Sequence, residues 1–239
     1  MSAPILLVHG ACHGAWCWDR LIPHLVEAGR KAIAPDLPGR AGNRRAGWGL
    51  SLDDYAAAIV DVARQQLQPV VTVGHSLGGM VIAAAAQAAP DLFERLVFVS
   101  GFMPVSGDSL ASLVALDSDS DLHGAARLSW LLGTVRIDPA RFRPVYCGDG
   151  SDADVAWATA RIGPESARPS IGKVKLSPDR FGSVPRSYIR CTEDRALSVQ
   201  MQDRMIERQP CDKVTSLPAS HSPFLSMPDR LAAALLSVI

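Results

Sequence analysis

Two hydrophobic patterns alternate along the chain. Short apolar runs bounded by glycine, proline or charge give way to longer stretches in which apolar residues recur at helical spacing. Pro4–Val8, Lys31–Pro35, Val70–Val73 and Arg95–Ser100 read as strands. Between the first two, Trp16–Gly29 places Trp18, Leu21, Ile22, Leu25 and Val26 at helical spacing, with Gly29 as its stop. Ser51 reads as the N-cap of an amphipathic helix through YAAAIVDVARQQL, and Leu77–Ala89 as an alanine-rich helix. Strands apolar on both faces and separated by helices predict a mostly parallel α/β sheet of about six strands, covered on both sides.

After Gly101 the rhythm breaks. From Phe102 to about Arg180 the chain has Gly/Asp/Ser-rich pieces (LDSDSD, CGDGSDAD), scattered helical patches and no clear strand. The sheet pattern then resumes with a strand at Arg186–Cys191, a helix at Leu197–Arg208, a strand at Asp212–Leu217 and a closing helix at Pro228–Ile239. Residues 102–180 are therefore expected to form a cap inserted within one domain spanning 1–239. No internal repeat is present.

Composition narrows the functions. At 239 residues, 48% hydrophobic and 20% charged, the chain suits one soluble domain with a sizeable core. Its 24 Lys+Arg balance 24 Asp+Glu, and the Arg44-Arg45 pair is too short for a basic patch, so no nucleic-acid partner is expected. Five cysteines without repeated spacing do not form a disulfide framework, which makes free thiols and a cytoplasmic setting the expectation. The start MSAPILLVHG lacks a charged n-region and a long apolar h-region, so no signal peptide is expected. No stretch approaches the ~20 apolar residues of a membrane span.

Candidate chemistry centres on Gly74-His75-Ser76-Leu77-Gly78, which satisfies G-x-S-x-G between an expected strand and an expected helix. A serine on that sharp turn is lifted above the sheet edge, near the positive end of the helix dipole. Its hydroxyl needs a base, and the base needs an orienting acid. His9 and His75 flank glycine turns and are expected to brace them; His24 lies on a helix surface; His13 and His123 precede the expected acid. His221, in LPASHSPF after the last strand, is the base by elimination and by position. The acid belongs to Thr192-Glu193-Asp194-Arg195, where spacing leaves both Glu193 and Asp194 open and Asp108 is a weaker alternative. Oxyanion donors are expected from the backbone of Leu77 and of the loop after the first strand, at Ala11, with Gly10 bringing that backbone close to substrate. Cys12, His13 and Cys17 match no structural zinc spacing, and neither a P-loop nor a dinucleotide fingerprint occurs, so neither metal nor cofactor is expected.

The segments VHGACHGAWCW (8–18), VGHSLGGM (73–80), GFMP (101–104), FGSVPRSYIRCTED (181–194) and 217–235 together resemble the α/β-hydrolase superfamily. More narrowly they resemble the branch of plant methylesterases, salicylate-binding esterases, α-hydroxynitrile lyases and bacterial carboxylesterases. The resemblance implies that Asp194 is the acid and that Ala11 and Leu77 supply the oxyanion donors. It also implies that the first strands of larger family members are missing here. Lyases of the branch carry threonine where this chain has Gly10 and lysine where it has Ser222; without that ammonium to meet departing cyanide, the reading tilts to an esterase. Ser220 stands where plant members have aspartate, so plant hormone substrates are not carried over.

The expected function is a serine carboxylesterase acting through an acyl-enzyme on a small or medium apolar ester, aryl or methyl esters included. Hydroxynitrile lyase and a non-hydrolytic receptor on the same fold stay open. Leu113, Leu116, Trp130, Leu131, Phe142 and Trp157 are candidates for an acyl pocket, Trp130 foremost. The expected partner is a small-molecule ester, with no nucleic acid and no membrane, and a homodimer is left open.

Overall fold

A computed structural model describes residues 2–40 and 49–239; the Arg44-Arg45 pair lies outside the described residues. Strands β1 (Ile5–Val8), β2 (Ala32–Ile33), β3 (Val70–His75), β4 (Phe93–Val99), β8 (Arg186–Cys191) and β9 (Lys213–Leu217) form one sheet in the order β2-β1-β3-β4-β8-β9. Every neighbouring pair in it is parallel. The helices are α1 (Leu21–Glu27), α2 (Leu52–Arg64), α3 (Leu77–Ala88), α4 (Leu110–Leu116), α5 (Pro139–Tyr146), α6 (Asp152–Thr159), α7 (Arg168–Ile171), α8 (Val199–Arg208), α9 (Pro223–Ser226) and α10 (Pro228–Val238).

The alternation of side chains along a strand divides the core in two. Leu6 and Val8 of β1 face Tyr55, Met80 and Met205 of α2, α3 and α8. Ile5 and Leu7 face Leu21, Leu25, Leu231 and Leu235 of α1 and α10. Both faces are thus buried, which is why these strands read as continuous apolar runs.

Local chemistry sets the boundaries. Ser51 caps α2 by accepting from Asp54 N, and the Asp54 carboxylate accepts in turn from Ser51 N. The expected helix over Trp16–Gly29 is instead a 3₁₀ turn at Ala15–Trp18 followed by α1. Pro23 is tolerated only in a first helical turn, so the α-helix starts just before it. Gly29, at φ +74, ends it, and Arg30 N donates back to Leu25 O.

Between β4 and β8 the structure departs from expectation. The stretch that shows no clear strand in sequence holds an antiparallel sheet of β5 (Ala126–Ser129), β6 (Thr134–Ile137) and β7 (Glu165–Ser166). Two strands have four residues and one has two, too few for a period to register. Among the described residues no helix is long and apolar enough to cross a membrane.

Candidate active site

Strand β3 delivers Ser76 directly into α3. Ser76 has φ +52 and ψ −123, a conformation non-glycine residues rarely adopt, and its carbonyl accepts from Gly79 N and Phe102 N at 3.0 Å each. The corner is tight enough that a Cβ on Gly78 would lie 2.5 Å from Val8 O. A Cβ on Gly10 would sit 2.8 Å from Ser76 Cβ, so any side chain at that position would crowd the serine. Leu77 is the first residue of α3, where the N–H has no intrahelical partner.

Asp194 and His221 meet in the loops after β8 and β9. His221 Nδ1 lies 2.6 Å from Asp194 Oδ2, with both residues buried. A carboxylate only accepts, so Nδ1 carries the proton and Nε2 is left with a free lone pair. Asp194 Oδ1 accepts from the N–H groups of Ala196 and Leu197, at 2.7 and 2.9 Å. Glu193 is exposed, and Asp108 pairs with Arg208 at 3.0 Å, so burial and partners separate the three carboxylates that spacing left open. Sequence reasoning missed Ser100, at φ +40, whose hydroxyl donates to Asp194 Oδ2. The available signal was a small polar residue at the C-terminal end of a buried strand, where α/β sheets bind ligands.

The neighbouring imidazoles brace this arrangement. His9 Nδ1–H donates to Gly10 O while Nε2 accepts from Leu37 N, at 2.9 and 3.1 Å. His75 Nε2–H donates to the carbonyl of His221 at 2.7 Å. His13 Nδ1–H donates to Ala11 O at 2.8 Å. Burial, first among the causes, lowers His9 to about 3 and His13 to about 4, and takes His75 well below the usual histidine value. All three are neutral near pH 7.

Ala11, His13, Ser76 and His221 line one narrow chamber of about 70 Å³. Leu110, Leu122, Ala126, Val135 and Ser170 line both this chamber and an outer apolar groove of about 420 Å³, so the two adjoin. Trp130 lies on the groove and is 71% exposed, away from Ser76. Of the other expected pocket residues, Leu113 and Phe142 are buried in the core, Leu116 and Leu131 are exposed, and Trp157 packs edge-on against Trp16. All five thiols are free, and burial raises Cys12 to about 12.

Residues 5–234 match the alpha/beta hydrolase family. The chain is 31% identical to putative methylesterase 11, chloroplastic, of Arabidopsis thaliana, over 98% of its own length but 63% of that relative's. It is also 31% identical to polyneuridine aldehyde esterase of Rauvolfia serpentina, over 98% of this chain and 94% of that one. A crystal structure of a mutant polyneuridine aldehyde esterase superposes with a TM-score of 0.89 at 28% identity, covering 100% of this chain and 99% of that one. The serine corner on a parallel sheet and a family match along nearly the whole chain agree, and this protein belongs to the alpha/beta hydrolase family.

Proposed function

We propose that this protein is a cofactor-free serine carboxylesterase with Ser76 as nucleophile, His221 as base and Asp194 as its orienting acid. One observation carries the proposal: a serine held at φ +52 shares a small chamber with a histidine whose Nδ1 proton is fixed on a buried carboxylate. In the mechanism, His221 Nε2 takes the Ser76 proton as Oγ attacks the ester carbonyl. The oxyanion is met by the N–H groups of Ala11 and Leu77. The imidazolium protonates the leaving alcohol, then His221 activates water to release the acid.

An apolar ester of small to medium size is the proposed substrate. The segment 102–180 acts as the cap, since its Leu110, Leu122 and Val135 line both the chamber and the groove. The relatives' names make methyl esters the first compounds to try. A lyase would need a cation beside His221; Ser222 stands there, and no Lys or Arg among the described residues lines the chamber. Five free thiols, four of them buried, support the cytoplasm as the proposed compartment.

The test is hydrolysis of p-nitrophenyl acetate and longer acyl homologues by wild type and Ser76→Ala side by side. Ser76→Ala is expected to lose at least about 10⁴-fold in kcat. Equal rates for the two proteins would refute the mechanism. Cyanide release from mandelonitrile would move the reading to a lyase.

A further inference from the structure

Cys12 sits between the proposed oxyanion donor Ala11 and His13, and its backbone is strained. Its φ is +63, in the left-handed region that L-residues avoid and that persists only where the surroundings over-determine it. Each of its polar groups is held by the segment between β4 and β8 or by Arg40. The Cys12 N–H donates to Glu165 Oε2 at 3.0 Å. The Cys12 carbonyl accepts from Gly163 N at 3.0 Å and from Arg40 at 2.5 Å, and the thiol donates to Val135 O at 3.5 Å. Glu165 is 1% exposed, and its other oxygen accepts from the hydroxyl of the fully buried Tyr55.

Given the esterase reading above, on which this rests, we infer that Glu165 is a positioning residue that sets the oxyanion hole by clamping the Ala11–Cys12 peptide. That peptide plane is pinned at both ends. Its C=O takes the His13 Nδ1 proton at 2.8 Å, and its N–H goes to Glu165. With both ends fixed, Ala11 has little freedom left to swing its own N–H away from the oxyanion. Removing the carboxylate leaves a buried N–H without an acceptor beside a strained φ, and the strain is released by rotating this peptide. The negative charge itself is not what Glu165 contributes, because a carboxylate near a developing oxyanion opposes it. Arg40, bridging Pro164 O and Cys12 O, offsets that charge.

The inference separates reach from charge. Glu165→Gln keeps the length and an acceptor oxygen for Cys12 N–H, and its amide can donate to the Tyr55 hydroxyl. Glu165→Asp keeps the charge but withdraws it by about one C–C bond, ~1.5 Å. Glu165→Ala removes both. On p-nitrophenyl acetate, Glu165→Gln is expected to keep kcat within threefold. Glu165→Asp and Glu165→Ala are expected to lose about 10²-fold in kcat with KM nearly unchanged, the scale of a misplaced oxyanion donor. Affinity for a trifluoromethyl ketone, which adds to Ser76 as a tetrahedral oxyanion, should fall in parallel with kcat/KM.

Loss of activity in Glu165→Gln with retention in Glu165→Asp would overturn the inference in favour of a charge role. Retention in both Glu165→Asp and Glu165→Ala would overturn it outright. If Glu165→Ala does not fold, the Gln–Asp pair decides alone. Amide hydrogen exchange of the peptide spanning residues 9–14 gives a readout independent of turnover. It should quicken in Glu165→Asp and not in Glu165→Gln, and equal protection in the two would count against the clamp even if Ser76→Ala showed the esterase reading itself to be wrong.

Discussion

The parallel sheet and the segment between β4 and β8 both reach the chamber, and they hold it by different means. The sheet supplies Ser76, Asp194 and His221 from the C-terminal ends of β3, β8 and β9, positioned by backbone ladders and buried apolar side chains. The intervening segment contributes walls and carboxylates. Glu165 accepts from the N–H of Cys12, next to the proposed oxyanion donor Ala11. Asp117 holds the acid loop by accepting from Ser198 N and Oγ at 2.9 and 2.6 Å. Asp149 holds the histidine loop through the hydroxyls of Ser220 and Ser226. On the proposed mechanism the sheet supplies the groups that react, and the carboxylates refine where they stand. Damage to the first should abolish turnover, whereas damage to the second should grade it.

The largest effect is expected at Asp194→Asn. Its Oδ2 now fixes the His221 tautomer, and an amide NH₂ facing Nδ1 would put the imidazole proton on Nε2, where it cannot accept from Ser76. A kcat loss of about 10⁴-fold is expected in an otherwise folded protein. A loss below tenfold would show that the sheet-borne triad is not the reacting unit. Next in size is Gly78→Ala, which pushes a methyl to 2.5 Å from Val8 O, where backbone of β1 cannot give way. Destabilisation of about 3 kcal/mol is expected in denaturant titration. Asp117→Ala comes third. It leaves the buried Ser198 N–H unsatisfied, at a cost of about 2 kcal/mol, and should lower kcat far less than Asp194→Asn does. Equal kcat losses at the two positions would erase the distinction between the regions.

The same distinction explains what the sequence could reveal. β1, β3 and β4 are apolar runs with glycine at or near their ends, and Ser76 stands in a local five-residue pattern at the end of one of them. Chain order singles out His221 as the candidate base. Asp194 did not follow from spacing, because Glu193 is its immediate neighbour and only the turn of the loop sends one side chain inward and the other to solvent. Glu165 was out of reach altogether. Its partner Cys12 is 153 positions away, and its strand has two residues. Nothing local marks a glutamate in GPESARP as buried. Among the acyl-wall candidates, helical or aromatic character does not say whether Phe142 faces a cavity or the core, and it lies in the core, whereas Trp130 lies on the outer groove.

Protonation sharpens the comparison further. Because burial keeps His13 and His75 neutral well into acid, the fall of kcat/KM in mildly acidic buffer should follow a one-proton curve. A two-proton slope would mean that a second imidazole takes up a proton in the same pH range.

The smallest expected effect concerns Glu165 and stability rather than rate. Burial, the largest cause, raises its carboxyl above the usual glutamate value, against the opposing pull of the Tyr55 hydroxyl and Arg40. A group whose folded pKa is raised favours folding most when protonated in both states, and that contribution is lost as pH climbs through the folded pKa. At neutral pH, wild type therefore bears the cost of a buried carboxylate that Glu165→Gln avoids. Glu165→Gln should melt slightly above wild type at pH 7, and the gap should close as the buffer falls below the ordinary glutamate range, where the wild-type side chain is neutral in both states. A gap that widened towards acid would mean that the carboxylate is held by its partners more strongly than burial opposes it. The clamp on Cys12 would then depend on charge as well as on reach.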